Sequence, residues 1–426
     1  HCPGWTGEEY FFRDDFSNTA NGTIKTYLKS HLGKNILPLS ILDNEIRPGG
    51  NPIEILLFYK REVSVLNIQE GFRKAVEHYN LFSSRLIMMD HDQFALQYCS
   101  DGAVINLLPA VNETHDSIDI ELVRKMMTHV KTLPGEPLFA LTVVPVRDGY
   151  LGGFSFSHAI GDGVSLILFL FSLGLIMAGE HFPLPSSQRL FTGSPLSVDQ
   201  IDKSFILPLH ALNKKIQDRI RQANMQTYTT REYFSEEQLK AIKYQAKSAG
   251  EHYEISNNQI MTSLLLKKYH HHLLPDADRI RLRSPVNLRE IHPDIDPCYI
   301  GNALFVSFTE FEKDEIDRMP VYEIACRFKK SIMQMRNENF VKKISYLSEY
   351  GIEFQHEALE KYLPHNSDTD IVSTNLTHIN DLESLGLGST MGSILYIGLP
   401  LQPCFTMLKE KSGSIFAQIT GRYPFT

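Results

Sequence analysis

The sequence predicts an α/β protein of two subdomains with mixed sheets. Three observations carry that expectation. The chain has 426 residues, more than the roughly 100–200 that one domain usually takes. Strand-like and helix-like segments occur in both halves without regular βαβ alternation. Between the halves, Gly179 to about Ser204 is rich in Pro, Ser and Gly and reads as a crossover linker. The expected boundaries are an N-terminal subdomain over 1–180, a linker over 181–228 and a C-terminal subdomain over 229–426.

In the first half, Ile68, Phe72, Val76 and Tyr79 fall at helical spacing, with Arg73, Lys74 and Glu77 between them, which predicts a helix over 68–83. A hairpin follows, with strands at 86–89 and 94–98 and a turn at Asp90-His91-Asp92. A second hairpin joins 141–146 to 150–157 through Asp148-Gly149, a type I′ turn signal. The apolar run 166–177 is too short for the roughly 18–20 residues that span a bilayer, so it reads as a buried core helix.

The second half opens on a strand at 230–234. Ser235-Glu236-Glu237-Gln238 is a capping-box sequence that starts a helix ending near Gly250, and Ser256-Asn257-Asn258-Gln259 starts another through His270. Segments 279–288 and 303–308 are strand-like, and 320–335 is amphipathic, with Ile324, Phe328 and Ile332 on one face. Strands are expected at 370–376, 394–399, 405–409 and 415–420, the last two joined by a turn at 411–413.

Composition removes several function classes. A formal charge of −8 gives no basic excess to neutralise phosphates, which argues against non-specific nucleic-acid binding. Cys2, Cys99, Cys298, Cys326 and Cys404 are odd in number, scattered and without a CxxC pair, which fits a reducing, cytoplasmic setting. The sequons at Asn21, Asn112 and Asn375 carry little weight without a signal peptide. His1-Cys2-Pro3-Gly4 has neither Met nor an apolar stretch, as in a chain that has been cut or that belongs to a longer product. There is no GxGxxG or Walker sequence, no HExxH and no cysteine pair, so no metal is expected. His270-His271-His272 lie consecutively on a helix and face different directions, which predicts that they do not share one ion. Lys214, Lys215, Arg219 and Arg221 read as a solvated helix face, the alternative being contact with coenzyme A phosphates.

One stretch carries chemistry. His158-Ala159-Ile160-Gly161-Asp162-Gly163 lies between the second hairpin and the apolar helix. Small residues around His158 let a substrate or another backbone approach the ring. Imidazole, with an ordinary pKa of about 6.5, accepts a proton near neutral pH. Asp162 has two readings, orienting the ring or pointing away to hold the loop.

This HxxxDG stretch resembles that of the acyl-thioester-dependent acyltransferases. That superfamily includes chloramphenicol acetyltransferase, plant BAHD enzymes, alcohol acetyltransferases, mycobacterial polyketide-ester acyltransferases and nonribosomal peptide condensation domains. Residues 72–86 are similar to its early helix and first hairpin. Pro285-Val286-Asn287-Leu288-Arg289 with Tyr299-Ile300-Gly301-Asn302-Ala303 resembles its second-half signature, and Val372-Ser373-Thr374-Asn375-Leu376 its late strand. Two departures stand out. The DFGWG motif of plant BAHD enzymes is absent, Trp5 being the single tryptophan, and Ser157 replaces the first His of the condensation-domain HHxxxDG.

The resemblance implies two chloramphenicol-acetyltransferase-like subdomains with an active-site channel between them. It implies acyl-CoA as co-substrate, no permanently bound cofactor, a small hydroxyl or amine acceptor and a monomer, in secondary metabolism. His158 would be the general base. Asp162 would be structural and paired with Arg289, and Asn287, Gly301 and Asn302 would shape the second-half side. Oxyanion donors would come from the Gly163 N–H and from the Ser373 or Thr374 hydroxyl. Two other readings remain, a condensation-like enzyme using a carrier-protein thioester and a non-catalytic binding relative.

Overall fold

The structure, a computed structural model, describes residues 36–39, 52–60, 64–88, 94–99, 102–186, 206–208, 226–250, 254–291, 295–335, 357–359, 366–377, 386–387, 391–399, 402–410 and 412–425. Cys2, Trp5, Asn21, the turn at 90–92, residues 187–205 of the linker, the basic stretch at 214–221 and Lys411 lie outside the described residues.

In the first half the strands are β1 (Ile36–Pro38), β2 (Ile53–Lys60), β3 (Arg85–Met88), β4 (Phe94–Gln97), β5 (Val104–Leu107), β6 (Phe139–Val146) and β7 (Gly149–Phe156). The helices are α1 (Val65–His78), α2 (Ile120–Met126) and α3 (Gly163–Ala178). The helix expected over 68–83 starts earlier, at a Ser64 side chain that caps Asn67 N–H. It ends at His78, and a 3-10 turn, Asn80–Ser83, completes the span. The two-residue loop of the second hairpin is Arg147-Asp148, one position before the expected Asp148-Gly149. Gly149 is already paired, with Val146 on one side and Lys60 on the other.

The second half contributes β8 (Ile206–Pro208), β9 (Tyr228–Phe234), β10 (Arg279–Asn287), β11 (Leu304–Glu312), β12 (Glu357–Leu359), β13 (Asp370–Asn375), β14 (Met391–Gly398), β15 (Cys404–Lys409) and β16 (Ile415–Gly421). Its helices are α4 (Glu236–Ser248), α5 (Asn257–Leu273), α6 (Lys313–Arg318) and α7 (Val321–Met335). Both serine caps form. Ser235 accepts from Gln238 N–H, and Ser256 with Gln259 makes the reciprocal box.

Two mixed sheets organise these elements. One runs β14-β2-β7-β6-β5 and the other β11-β10-β13-β15-β16-β9. The first sheet packs on α1 and α3 through an aromatic cluster of Phe72, Phe82, Phe139, Phe156 and Phe169. The second sheet turns Leu282, Phe311, Ile371, Phe405 and Ile419 toward α4, α5 and α7. Its opposite face meets the first half, where Leu408 and Phe416 join the first core. A fully buried side chain of this size contributes about 1.5–3 kcal/mol, so both sheets are held by apolar burial.

One strand departs from the expected boundaries. β14 belongs by sequence to 229–426 yet pairs antiparallel with β2 and forms an edge of the first sheet. Ile394 and Ile397 enter the first core there. β2 is buried from Ile53 to Tyr59, so the backbone N–H and C=O groups on its outer edge need partners, and β14 supplies them.

Candidate active site

β7 ends at the seam between the halves. Ser157 fixes its last turn: Oγ shares a hydrogen bond with Thr132 Oγ1 (2.9 Å) and accepts from Ala159 N–H (3.3 Å). His158 follows, 8 % exposed. Its Nδ1 lies 2.8 Å from Oδ1 of Asn302, and Nδ2 of Asn302 donates to the His158 carbonyl at 2.9 Å. The second bond fixes which end of the amide is oxygen. Nδ1 therefore carries the proton and donates it to Asn302, which leaves the ring lone pair on Nε2.

Asn302 comes from the second half, and a buried clasp holds it in place. Arg289 donates to Asp162 with both terminal nitrogens, Nη1 to Oδ2 at 2.8 Å and Nη2 to Oδ1 at 3.1 Å. The side chains are 3 % and 2 % exposed, so the charges are paired in a dry site, where removal of one partner strands the other. The same guanidinium donates to the carbonyls of Tyr299 (2.9 Å) and Gly301 (3.0 Å). Asp162 Oδ2 accepts from Ala303 N–H at 3.0 Å. Burial pushes the Asp162 carboxyl up, but the Arg289 charge and hydrogen bonds, with the Ala303 and Ser165 N–H groups, hold it below the usual carboxylate range.

The loop 299–303 is thus gripped from both ends, with Asn302 between the held residues. Gly301 has φ 152°, in a region that glycine occupies and residues with a Cβ avoid. Gly161 allows the close approach from the other side. A Cβ there would lie 2.7 Å from the Ser165 Oγ.

Ser165 was not legible in the sequence as a site residue. Its hydroxyl donates to Gly301 O (3.0 Å) and accepts from Gly301 N–H (3.1 Å). A serine two residues past the HxxxDG glycine is the only signal, and the helix pattern absorbs it. Asn302, expected only to shape the second-half side, places its side chain against the His158 ring. Asn287 Oδ1 accepts from Arg289 N–H at 3.1 Å and supports the guanidinium.

Gly163 is the first residue of α3, capped by Asp162 through Ser165 N–H. A Cβ built on Gly163 meets nothing within 4 Å, so the space over this helix end is open. Ser373 and Thr374 part company. Ser373 is fully buried, and its hydroxyl bonds Thr262 of α5 at 2.7 Å. It faces the helices, away from the seam, because strand neighbours alternate faces. Thr374 shares the opposite face with Leu408, whose side chain reaches the first half. Ser373 is accordingly dropped as an oxyanion donor.

Elsewhere, the three consecutive histidines, expected to face different directions, divide two and one. The His270 and His271 rings stand 4.1 Å apart in the last turn of α5, and both reach Asp317. His272 turns instead to Tyr423 and Phe425. Cys99 Sγ donates to the Gln97 carbonyl at 3.6 Å, and the Cys404 thiol shares a hydrogen bond with Thr406 Oγ1 at 3.3 Å. Among the described residues no helix is long and apolar enough to cross a membrane.

No curated protein matches the chain in sequence. TRI101 of F. sporotrichioides, solved with coenzyme A and T-2, is similar in fold, with TM-score 0.69 at 13 % identity over 91 % of this chain and 95 % of that one. Vinorine synthase gives 0.62 at 14 % identity over 92 % and 91 %. The first condensation domain of the CDA synthetase gives 0.57 at 10 % identity over 91 % of each. A profile of the Transferase family matches residues 20–379. The chain therefore belongs to the Transferase family, within the acyl-CoA-dependent acyltransferase superfamily that its His158–Gly163 stretch resembles.

Proposed function

We propose that the protein moves an acyl group from a coenzyme A thioester to a hydroxyl or amine acceptor, with Nε2 of His158 as general base. The observation that carries this is the Asn302 bond to Nδ1, 2.8 Å long, which leaves Nε2 as the basic nitrogen of the His158 ring. A positioned base contributes about 10²–10⁴-fold. As the acceptor oxygen attacks the thioester carbonyl, its proton passes to Nε2. The tetrahedral oxyanion takes hydrogen bonds from Gly163 N–H and the Thr374 hydroxyl, such preorganised donors being worth about 2.7–4 kcal/mol each. The C–S bond then breaks, and the thiolate recovers the proton from His158. No acyl-enzyme forms. Both substrates reach one imidazole through a channel between the halves, and Asp162 acts at a distance, as part of the clasp.

Support for coenzyme A as donor comes from TRI101, a relative in fold whose structure holds it. Ser157, fully buried and bonded to Thr132, fills with a structural hydroxyl the place of the extra condensation-domain histidine. The test is thiol release by the purified chain over a panel of acyl-CoA thioesters with alcohols and amines. Acceptor-dependent release is expected. Turnover only with an acylated phosphopantetheinyl protein replaces coenzyme A by a carrier. Ligand binding without turnover on any thioester overturns the enzymatic reading.

A further inference from the structure

A second cluster of chemistry-bearing side chains lies at the far end of α5, on the helical side of the second sheet. His270 is wholly buried, and its Nδ1 donates to the Leu266 carbonyl at 2.9 Å. That bond fixes the tautomer and leaves the lone pair on Nε2. Metal-binding histidines are held by this kind of outer hydrogen bond. Nε2 of His270 is itself buried and has no hydrogen-bond partner among the described residues. It points to Asp317 Oδ1 at 3.4 Å, outside hydrogen-bond geometry. Nε2 of His271 lies 2.9 Å and 3.1 Å from the two oxygens of the same carboxylate. One donor atom from each residue lies within 4.8 Å of the other two.

Four ligands at about 2.0–2.1 Å in tetrahedral array stand about 3.3–3.4 Å from one another. The cluster is near that spacing already. Its backbone is also fixed. Lys267 Nζ donates to the carbonyls of Ile316 (3.1 Å), Asp317 (2.9 Å) and Met319 (2.6 Å), which ties the end of α6 to α5. His271 and Asp317 are 59 % and 47 % exposed, so an ion has a path in and water has a place beside it.

We propose that His270, His271 and Asp317 form a three-ligand site for Zn²⁺, with water completing the coordination. Two imidazoles and one carboxylate suit zinc better than calcium or magnesium, which take oxygen ligands. The buried Nε2 supplies the argument that an exposed His–Asp ion pair does not. It is a donor with nothing to receive it until an ion arrives.

The test uses the full chain after treatment with a chelator. Zn²⁺ is titrated calorimetrically, and Co²⁺ reports coordination through its visible absorption. Wild type is expected to bind one Zn²⁺ at this site, to give the strong bands of four-coordinate Co²⁺ and to melt higher with Zn²⁺. His271→Ala and Asp317→Asn alter exposed side chains. Each is expected to weaken Zn²⁺ binding by at least about tenfold, the lower range for lost metal-site partners, and to remove the Co²⁺ bands. His272→Ala is expected to keep both. Absence of binding to wild type, affinity unchanged in His271→Ala, or equal loss in His272→Ala overturns the proposal.

Discussion

His158 and His270 are buried histidines in the same tautomer, each with Nδ1 held by an oxygen 2.8–2.9 Å away. The oxygen of His270 belongs to its own helix, four residues back. That of His158 comes from the other half of the molecule, 144 residues on. Local order is enough to orient the His270 ring, whereas the His158 ring is oriented only when the halves are correctly joined. Around Nε2 the difference widens. The His158 ring lies in the HxxxDG stretch where the two halves meet, and the His270 ring stands against a carboxylate and a second imidazole. The tautomer alone decides nothing. The surroundings of the remaining nitrogen decide whether it takes a proton or an ion.

The largest expected effect tests the His158 side of this comparison. His158→Ala should lower turnover by about 10²–10⁴-fold, the range of a positioned base, with the melting temperature near wild type. Thiol release and thermal unfolding measure both, and near-wild-type turnover would break the assignment. Next comes the clasp. Arg289→Ala strands the buried Asp162 carboxylate and should cost about 3–5 kcal/mol, read by denaturant unfolding, with turnover falling in step. Asp162 also sets an acid limb. Its carboxyl is held below the ordinary range, so its contribution to stability is complete above the unfolded pKa, about 3.9. It is lost as pH falls through the folded value. Urea titrations below pH 4 should show that loss in wild type and a weaker one in Asp162→Asn.

Asn302→Asp sharpens the comparison further. A carboxylate beside Nδ1 favours the protonated ring. The rising limb of the kcat–pH profile should then move to higher pH by about one unit, while Asn302→Ala lowers kcat by about tenfold without that move. A structural role alone would shift neither limb. The smallest effect separates two glycines of one motif. Gly161→Ala meets Ser165 at 2.7 Å and should cost about 1–3 kcal/mol as overpacking does. Gly163→Ala enters open space and should leave stability unchanged or raise it by up to about 1 kcal/mol, as expected of alanine in a helix. Equal losses would contradict the geometry of the loop.

Local signals made much of this readable in advance. The apolar helix before Gly179, the hairpin into His158 and the serine caps at 235 and 256 follow from periodicity and capping chemistry within a few residues. His158 and Asp162 stand out through motif spacing, and Arg289 through the family resemblance. What periodicity missed depends on partners far along the chain. β2 reads as a bare apolar run until β14 covers it. Asn302 is marked only as part of the second-half signature until its amide meets a ring from the other half. Ser165 passes for helix filler until Gly301 arrives beside it.

The late arrival of β14 also bears on how the protein is made. β2 and β7 lie side by side from early in synthesis, but the strand that closes the free edge of β2 is more than two hundred residues further on. At about 5–20 residues per second, the ribosome leaves that edge open for roughly 10–50 s. An unpaired apolar edge strand is a template for association with other chains. Nascent protein is therefore most exposed to aggregation before residue 391 emerges, and the first half expressed alone carries that hazard permanently.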